Sequence, residues 1–352
     1  MVKVRVETVN APKRLVIYGA GGAGRAFLGA CRDLGSPVPV AAFCDSDATK
    51  RGTSVGGIDV LPPEVLRQFD PGDTRVVIAS VAWPEIAGRL DREGWPRDST
   101  AEIPGWRAFG ISGADGTAPR CRILTTLPRS GTLWLRQMIE SAMGRRSWPA
   151  HTGDPEALTG ALASDESGDR LLCGHYRQDR DGPLIAARAR FPCRTVLLYR
   201  QPLDALASQF QYWARIGSLP DAAATPLDNL REWIRRPGVW RSWVLRLAVD
   251  WIRSGSVLAC RYEDLVADPE GNLDRILEHL EVPRTREDLA WAVRLSKFES
   301  LSGGRTPGTV DPASHFRRGQ SGEWREVFRQ EDLDAARREI GDLVVELGYP
   351  PI

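Results

Sequence analysis

The sequence predicts an α/β protein with two domains, each built on a parallel sheet. The chain has 352 residues, a length more typical of two domains than of one. Short apolar runs of strand length alternate with stretches of helical spacing, which indicates parallel strands joined by helical crossovers. Residues 111–120 are rich in Gly, Ala and Pro and have no apolar period, as in a linker. We therefore predict domains at 1–112 and 121–352, joined by a linker at 113–120.

The first domain contains three predicted strands, each followed by a predicted helix. Each strand is a short, continuously apolar run: RLVIYG from residue 14, PVAAFC from residue 39 and RVVIAS from residue 75. The helices follow from their spacing: AGRAFLGACRDLG from residue 23, EVLRQF from residue 64 and PEIAGRLDREG from residue 84. This order predicts a parallel sheet covered by helices.

A glycine-rich turn, GAGGAG, joins the first strand to the first helix. Its glycines stand at positions 19, 21 and 24, and Asp45 ends the next strand about 20 residues later. This context is typical of a Rossmann dinucleotide fingerprint, in which Gly19 allows a tight turn, Gly21 the approach of a pyrophosphate and Gly24 close helix packing. The N-terminus of the helix would face the phosphates. The first domain is therefore predicted to be Rossmann-like, with these glycines and Asp45 as candidate nucleotide-binding residues.

The sequence does not determine whether the first domain binds a ligand. Any strand-to-helix turn favours glycine, so the loop is equally compatible with a domain that binds nothing. Residues 44–66 resemble the small nucleotide-binding-like domains fused ahead of some sugar-modifying transferases, which makes NAD or a sugar nucleotide the candidate ligand. A nicotinamide-dependent oxidoreductase is the alternative function, but no His or Tyr-x-x-x-Lys pattern follows in this block to relay a proton.

The second domain is also predicted to be α/β. Its strands are expected at CRILTT from residue 121, TVLLY from residue 195 and SVLAC from residue 256. After the first of them, Leu135, Met138, Ile139 and Ala142 recur at i, i+3, i+4 and i+7, which is one face of a helix. Further helices are predicted at 203–215, 243–252, 270–280 and 331–348, with a Gly-rich loop at 303–322.

The turn at 128–132, PRSGT, has the outline of a phosphate-binding loop. It runs from a strand into a helix, so its backbone N–H groups and the positive end of the helix should face one point. Arg129 adds a forked cation, Ser130 and Thr132 add hydroxyls, and Gly131 permits close approach. No Lys follows the glycine and no Walker-B carboxylate is evident, which disfavours a magnesium-dependent triphosphatase.

Two further features suit phosphate groups but are ambiguous when each is taken alone. Arg200 ends a central strand and Ser208 lies in the following helix, and taken alone they are better explained by a salt-bridged arginine and a surface serine. Arg317 and Arg318 precede Gly319, and such a loop can wrap an anion or can be a solvated basic turn.

In this order the features resemble those of the 3′-phosphoadenosine-5′-phosphosulfate (PAPS)-dependent sulfotransferases, over residues 120–350. The family pattern P-[KR]-S-G-T-x-W is matched at 128–134, R-x-x-x-D-x-x-x-S at 200–208 and R-K-G-x-x-G-x-W at 317–324. RYEDLVADP at 261–269 resembles the family's Y-E-D-L stretch, and SKFESL at 296–301 its T-S-F stretch. Each pattern alone is weak, whereas five in order are specific.

The resemblance implies a P-loop-like sulfotransferase domain that moves a sulfuryl group from PAPS to a hydroxyl and releases 3′-phosphoadenosine-5′-phosphate (PAP). It assigns the 5′-phosphosulfate to the first loop, namely Arg129, Ser130, Gly131, Thr132, Leu133 and Trp134. It assigns the 3′-phosphate to Arg200, Ser208, Arg317, Arg318 and Gly319, and the adenine to Trp134, Tyr262, Ser296 and Phe298. No metal ion takes part in the predicted reaction.

A general base must take the proton of the acceptor hydroxyl, and a histidine is well suited to that role near neutral pH. Of the four histidines, at 151, 175, 279 and 315, His175 ends a strand-like run between the first two phosphate features, and His315, which flanks the third, is the alternative. The family's catalytic histidine occupies the place of His175, so His175 is the predicted base and Arg129 the residue that stabilises the leaving charge. The chain departs from the family at Cys173, where a Lys is frequent, and at Leu133, where a Thr is common.

Composition limits the partners and the location. The 47 Lys and Arg nearly balance the 46 Asp and Glu, so no global basic field favours nucleic acid. The six cysteines form no CxxC pair, as expected of a cytoplasmic protein, and no apolar run approaches the ~20 residues of a membrane span. We expect a small-molecule, carbohydrate or glycosylated acceptor. A homodimer and a non-catalytic nucleotide sensor stay open.

Overall fold

The structure is a computed structural model of the chain. It describes residues 13–33, 36, 38–80, 83–95, 100–102, 121–143, 170–176, 193–217, 246–302, 304–312, 314 and 316–352. These residues group into two compact units. The first unit takes the described residues within 1–116, 137–146 and 283–304, and the second unit takes those within 117–136, 147–282 and 305–352. The linker predicted at 113–120 lies outside the described residues.

The first unit is built on a six-stranded sheet. Its strands are β1 (Arg14–Tyr18), β2 (Val40–Cys44), β3 (Ser54–Val55), β4 (Ile58–Leu61), β5 (Thr74–Ile78) and β6 (Thr100–Glu102). They lie in the order β3-β4-β2-β1-β5-β6, and every pair is parallel except β3–β4. The three predicted strands form the consecutive strands β2, β1 and β5. The sequence analysis did not find β3, β4 and β6, which are short.

Both faces of the first sheet are covered, which explains why its central strands are continuously apolar. Leu15 and Ile17 of β1 belong to a core on one face, and Val16 and Tyr18 belong to a core on the other. The helices α1 (Gly22–Asp33) and α2 (Trp83–Arg92) match the predicted helices. The stretch from residue 64 is a short 3₁₀ helix, Pro63–Gln68, rather than an α-helix.

The second unit is built on a four-stranded sheet in which every pair is parallel. Its strands are β7 (Cys121–Thr126), β8 (Arg170–Gly174), β9 (Cys193–Tyr199) and β10 (Leu258–Arg261), in the order β10-β9-β7-β8. The helices that follow β7 along the chain are α3 (Thr132–Met143), α4 (Pro202–Arg215), α5 (Arg246–Arg253), α6 (Tyr262–Ala267), α7 (Pro269–His279), α8 (Arg286–Leu295), α9 (Phe298–Ser302), α10 (Trp324–Val327) and α11 (Gln330–Glu346). The predicted α/β class with parallel strands is therefore confirmed.

Helices α8 and α9 belong to the first unit, although they follow β10 in the chain. Trp291 of α8 is buried with the core that contains Phe27 of α1, and the two ring centroids are 5.8 Å apart. Arg294 forms an ion pair with Asp33 at the end of α1. Thr285 and Asp288 form a capping box at the start of α8. The sequence analysis did not predict these helices, and it had placed residues 286–302 in the second domain.

None of the helices in the part of the chain that the structure describes is long and apolar enough to cross a membrane.

Candidate functional site

The parallel sheet of the second unit brings the ends of its strands to one edge. Open α/β sheets bind ligands at the carboxyl ends of their strands, because the loops that leave those ends face the same space. The first loop follows β7, His175 follows β8 and Arg200 follows β9. Strand pairing alone therefore places three predicted site regions at one edge.

The loop between β7 and α3 has an unusual backbone. Arg129 has φ of 64° and Gly131 has φ of 89°, so both lie in the left-handed region. A non-glycine residue there costs about 1–2 kcal/mol, and the strain is typical of a functional turn. A Cβ on Gly131 would lie 2.8 Å from Cδ2 of Tyr262, so only glycine fits between the loop and that ring. Thr126 and Thr132 close the turn from inside, with 2.7 Å between their hydroxyl oxygens.

Three buried polar atoms of the predicted phosphate features have no hydrogen-bond partner in the structure. They are Oγ of Ser130, Nε of Arg200 and Nε of Arg318, one from each of the three phosphate features. Each of them can donate a hydrogen bond. An unpaired buried donor costs about 1–3 kcal/mol, so three donors of this kind indicate a site prepared for an acceptor-rich ligand.

Arg200 joins the three features physically. Its side chain is only 9% exposed. Nη2 donates to the carbonyl of Gln320 at 2.8 Å, and Nη1 donates to the carbonyl of Arg129 at 3.4 Å. Its guanidinium lies over the ring of Tyr262, 4.7 Å from the centroid. The arginine predicted at the end of the strand thus contacts both of the other predicted loops, as the proposed site requires.

Arg129 lies among other cations. Its Nε donates to Oγ of Ser208 at 3.2 Å, and its guanidinium lies 4.9 Å from the ring centroid of Tyr212. Desolvation and the positive charges of Arg215, Arg200 and Arg317 together lower the pKa of Arg129 to about 10, against an opposing effect of Tyr212. A poorly solvated cation with like charges around it attracts an anion strongly, since an anion relieves both penalties.

The arginines of the third phosphate feature, Arg317 and Arg318, are paired with nearby glutamates. Arg317 forms an ion pair with Glu323, and Arg318 donates to both carboxylate oxygens of Glu326 at 2.9 Å. These pairs occupy part of the capacity of the two arginines, which the sequence analysis did not anticipate. Gly319 has φ of 67°, which supports the glycine at that place in the loop.

The predicted adenine residues divide between the units. In the second unit, Trp134 and Tyr262 pack edge to face, with centroids 5.9 Å apart. Burial raises the pKa of Tyr262, so its phenol stays protonated. Ser296 and Phe298 belong to the first unit, where the Ser296 hydroxyl is buried without a partner. Their role at a nucleotide stays a prediction.

His175 has a defined orientation. Its Nδ1 is 2.7 Å from the carbonyl oxygen of Thr126 and 3.0 Å from that residue's hydroxyl. A carbonyl oxygen can only accept, so Nδ1 carries the proton and the basic lone pair of the neutral ring lies on Nε2. Desolvation lowers the pKa of His175 and the charge of Arg129 lowers it further, although the bond to Thr126 acts in the opposite direction. The ring is partly open to solvent, yet it is neutral near pH 7.

Of the other three histidines, the structure describes only His279. His279 is 3.0 Å from the carbonyl of Thr195, which is a structural contact, and the positions 151 and 315 lie outside the described residues. Cys173 is fully buried in β8. Among the described residues no cluster of three or more metal-ligating side chains occurs.

Sequence reasoning missed Tyr212 as a neighbour of Arg129. A signal was present, because Ser208 and Tyr212 are four residues apart and therefore share a face of α4. It also gave no role to Asp204, which matches the second motif but reveals its partners only in the folded loop.

The glycine turn of the first unit is partly explained by the fold. A Cβ on Gly19 would fall onto the carbonyl of Ala79, and a Cβ on Gly24 would fall onto the carbonyl of Gly19. Nothing lies within 4 Å of the place where a Cβ of Gly21 would be, which leaves that position open to a ligand. The Asp45 carboxylate accepts from the backbone N–H of Ala20 at 2.8 Å, so it braces the turn itself. Nucleotide binding at this turn stays a prediction.

Comparison with known proteins gives one consistent match. Residues 185–347 match the family model of the sulfotransferase domain. Human sulfotransferase 2B1 is 27% identical over 242 residues, which are 61% of this chain and 64% of that protein, so the chain spans just under two thirds of that relative's length. Cytosolic sulfotransferase 3 of Arabidopsis thaliana is 24% identical over 233 residues, which are 58% of this chain and 70% of that protein.

A solved structure supports the fold. The crystal structure of mouse sulfotransferase SULT7A1 complexed with PAP superposes with a TM-score of 0.51 at 20% identity, covering 66% of this chain and 89% of that one. At this identity the likeness concerns the fold, and it agrees with the parallel sheet described above.

Proposed function

We propose that the chain is a sulfotransferase, which transfers a sulfuryl group from PAPS to a hydroxyl group of a small-molecule or carbohydrate acceptor. One observation carries the proposal. Each of the three phosphate features contains one buried donor without a hydrogen-bond partner, from Ser130, Arg200 and Arg318, and Arg200 donates to a backbone carbonyl of each of the other two features. A nucleotide with phosphate groups at both its 5′ and 3′ positions offers acceptors to all three. The mouse protein of the same fold was solved with such a nucleotide, PAP.

We assign the donor site as the sequence predicted. The 5′ end goes to the turn of Arg129, Ser130, Gly131 and Thr132, where the N-terminus of α3 adds its positive end. The 3′-phosphate goes to Arg200, Ser208, Arg317, Arg318 and Gly319. We assign the adenine to Trp134 and Tyr262, whose edge-to-face rings offer aromatic surface to a flat purine.

His175 is the proposed general base. When bound, PAPS supplies a sulfuryl group activated by a good leaving phosphate. His175 is neutral, and Nε2 is the atom that takes the hydroxyl proton as the acceptor oxygen attacks in line. Thr126 holds the ring by its other nitrogen, so the lone pair keeps its direction.

Arg129 is the proposed stabiliser of the leaving phosphate. Its charge, together with the amides of the turn, faces the place where negative charge develops. Such a donor is typically worth ~10²–10³ in rate. We therefore expect Arg129→Ala to lose most turnover.

Calorimetry tests the proposal most directly. PAP, NADH and a UDP-sugar would be titrated in parallel into the full chain. We expect PAP to bind, and Arg317→Ala and Arg200→Ala to weaken it. Absence of PAP binding by the unmodified protein would overturn the proposal. Transfer of labelled sulfate from PAPS to a panel of phenols and sugars would then identify the acceptor class.

The alternative functions gain nothing from these observations. The matching family model and the relatives named above are sulfotransferases, so they give no support to a nicotinamide-dependent oxidoreductase. An oriented, neutral His175 beside a strained Arg129 is machinery that a nucleotide sensor does not need. A cytoplasmic location is part of the proposal, in keeping with six cysteines that are all thiols.

A further inference from the structure

A buried carboxylate links helix α4 to the third phosphate loop. Asp204 lies in the first turn of α4, and its side chain is 1% exposed. Oδ2 accepts from the backbone N–H of Gly322 at 2.6 Å, and Oδ1 accepts from the backbone N–H of Trp324 at 3.0 Å. Both oxygens of one carboxylate therefore hold a segment that lies more than 100 residues away along the chain.

Arg200 binds the same loop through a backbone carbonyl, whereas Asp204 binds it through backbone N–H groups. Its Nη2 donates to the carbonyl of Gln320 at 2.8 Å, and the same nitrogen is 3.7 Å from Oδ2 of Asp204. Arg200 precedes α4 and lies four residues before Asp204. Its guanidinium binds a carbonyl of the loop, whereas the carboxylate of Asp204 binds two of its amides. The charge of the carboxylate is thereby balanced, and it does not oppose a phosphate bound nearby.

The loop needs such anchors because its backbone is irregular. Gly319 and Gly322 have φ of 67° and 94°, so neither belongs to a helix or strand that could satisfy the amides. On the N-terminal side of the loop, Arg305 donates to the carbonyls of Phe316 at 2.6 Å and Arg317 at 3.1 Å. The two arginines predicted to hold the 3′-phosphate thus lie between two sets of backbone anchors.

We infer that Asp204 is a positioning residue that fixes the loop 317–322 in its phosphate-binding conformation before the nucleotide arrives. This inference rests on the proposed function. Ordering a flexible loop when a ligand binds costs free energy and reduces the affinity. A loop that is already anchored avoids this cost. Because the anchored arginines serve the 3′-phosphate, Asp204 contributes to the preference for nucleotides that carry one.

The test compares two nucleotides on one variant. Asp204→Asn keeps the shape but replaces one acceptor oxygen with an NH₂ group facing a backbone N–H. Calorimetry would give the affinity for PAP and for adenosine 5′-phosphate, which lacks the 3′-phosphate. We expect PAP to bind at least ~10-fold more weakly to the variant, the loss of about one buried hydrogen bond to a charged group. Adenosine 5′-phosphate should bind with unchanged affinity.

A matched control separates positioning from general stability. Asp332 is also fully buried, and it accepts from the backbone N–H of Arg329 at 2.9 Å to cap α11. Asp332→Asn should lower the melting temperature without changing the ratio of the two affinities. If Asp204→Asn left the ratio of the two affinities unchanged, because it weakened the binding of both nucleotides equally or of neither, the inference would be overturned. The proposed function would remain intact. An unmodified protein without preference for PAP would overturn both.

Hydrogen exchange covers the case in which Asp204→Asn does not fold. In the unmodified protein without nucleotide, the amides of Gly322 and Trp324 should already be protected from exchange. Exchange of both at the rate of an open chain would show that the loop is not held in advance, and would overturn the inference.

Discussion

His175 and Arg129 influence each other through charge, and this coupling can be measured. Because protonation of His175 adds a positive charge next to a cation, Arg129 lowers the pKa of the histidine, in addition to desolvation. The neutral ring is the form that accepts a proton. The active fraction therefore rises as pH rises through the lowered pKa, and the acid limb of activity lies below the ordinary histidine value of ~6.5.

The first prediction concerns that limb. Arg129→Gln removes the positive neighbour, so protonation of His175 becomes easier and its pKa rises. Arg129→Lys keeps the charge and should leave the pKa in place. Nuclear magnetic resonance titration of the histidine ring protons measures both variants without requiring activity. A His175 pKa that is the same in the Gln and Lys variants would contradict the coupling.

The second prediction separates chemistry from binding. His175→Ala should reduce kcat by at least ~10²-fold, because it removes the base, while PAP affinity stays within about twofold. His279→Ala is the control: that ring contacts the carbonyl of Thr195, so its loss should affect stability and not kcat. Steady-state turnover and calorimetry together give both quantities. Normal turnover by His175→Ala would remove the base assignment.

At this scale the sequence predicted which residues lie at the edge of the sheet, but it did not predict their contacts. His175 and Arg200 could be found because each ends a strand, and strand ends meet at one edge of a parallel sheet. The partners of Asp204 could not be predicted, because they belong to an irregular loop that is distant in sequence and contacts α4 only in the folded chain. The acidic partners of Arg317 and Arg318 come from the residues that follow that loop, and their direction is set by its left-handed glycines.

The turn between β7 and α3 is the element on which the site most depends. Its conformation combines a left-handed Arg129, a left-handed Gly131 and a buried Ser130 hydroxyl without a hydrogen-bond partner. The sequence predicted its location, since an apolar strand and an amphipathic helix flank it. It did not predict the close approach of Tyr262, because that ring comes from α6, which follows β10.

The third prediction uses that approach. In Gly131→Ala the new Cβ would lie 2.8 Å from Cδ2 and 2.9 Å from Cε2 of Tyr262, at a backbone angle that already disfavours alanine. Gly217→Ala is the matched control, with φ of 66° and nothing within 4 Å. Both should lose roughly 1 kcal/mol of stability from the backbone. Only Gly131→Ala should also lose PAP binding, measured by calorimetry at a temperature where both are folded. Equal PAP affinity in the two variants would contradict the steric argument.

The two compact units do not correspond to a single division of the chain at one linker. Residues 286–302 continue the second predicted domain in sequence, yet α8 and α9 belong to the first unit. The reason is apolar burial: Trp291 and Leu295 are 3% and 2% exposed, in the core that also contains Phe27. Sequence alone could not predict this, because an amphipathic helix shows that it has an apolar face and not which sheet covers that face.

The fourth prediction follows from this arrangement. A fragment of residues 121–352 would keep α8 but lose α1, so Trp291 and Leu295 would lose the partners that bury them. We expect the fragment to bind a hydrophobic dye and to aggregate at concentrations where the full chain is soluble, as measured by fluorescence and light scattering. Replacing both residues with Gln in the fragment should reduce the dye binding. In the full chain, Trp291→Ala should destabilise the first unit by roughly 3–5 kcal/mol, the usual cost of truncating a buried aromatic side chain. A fragment as soluble and as thermally stable as the full chain would show that α8 does not need the first sheet.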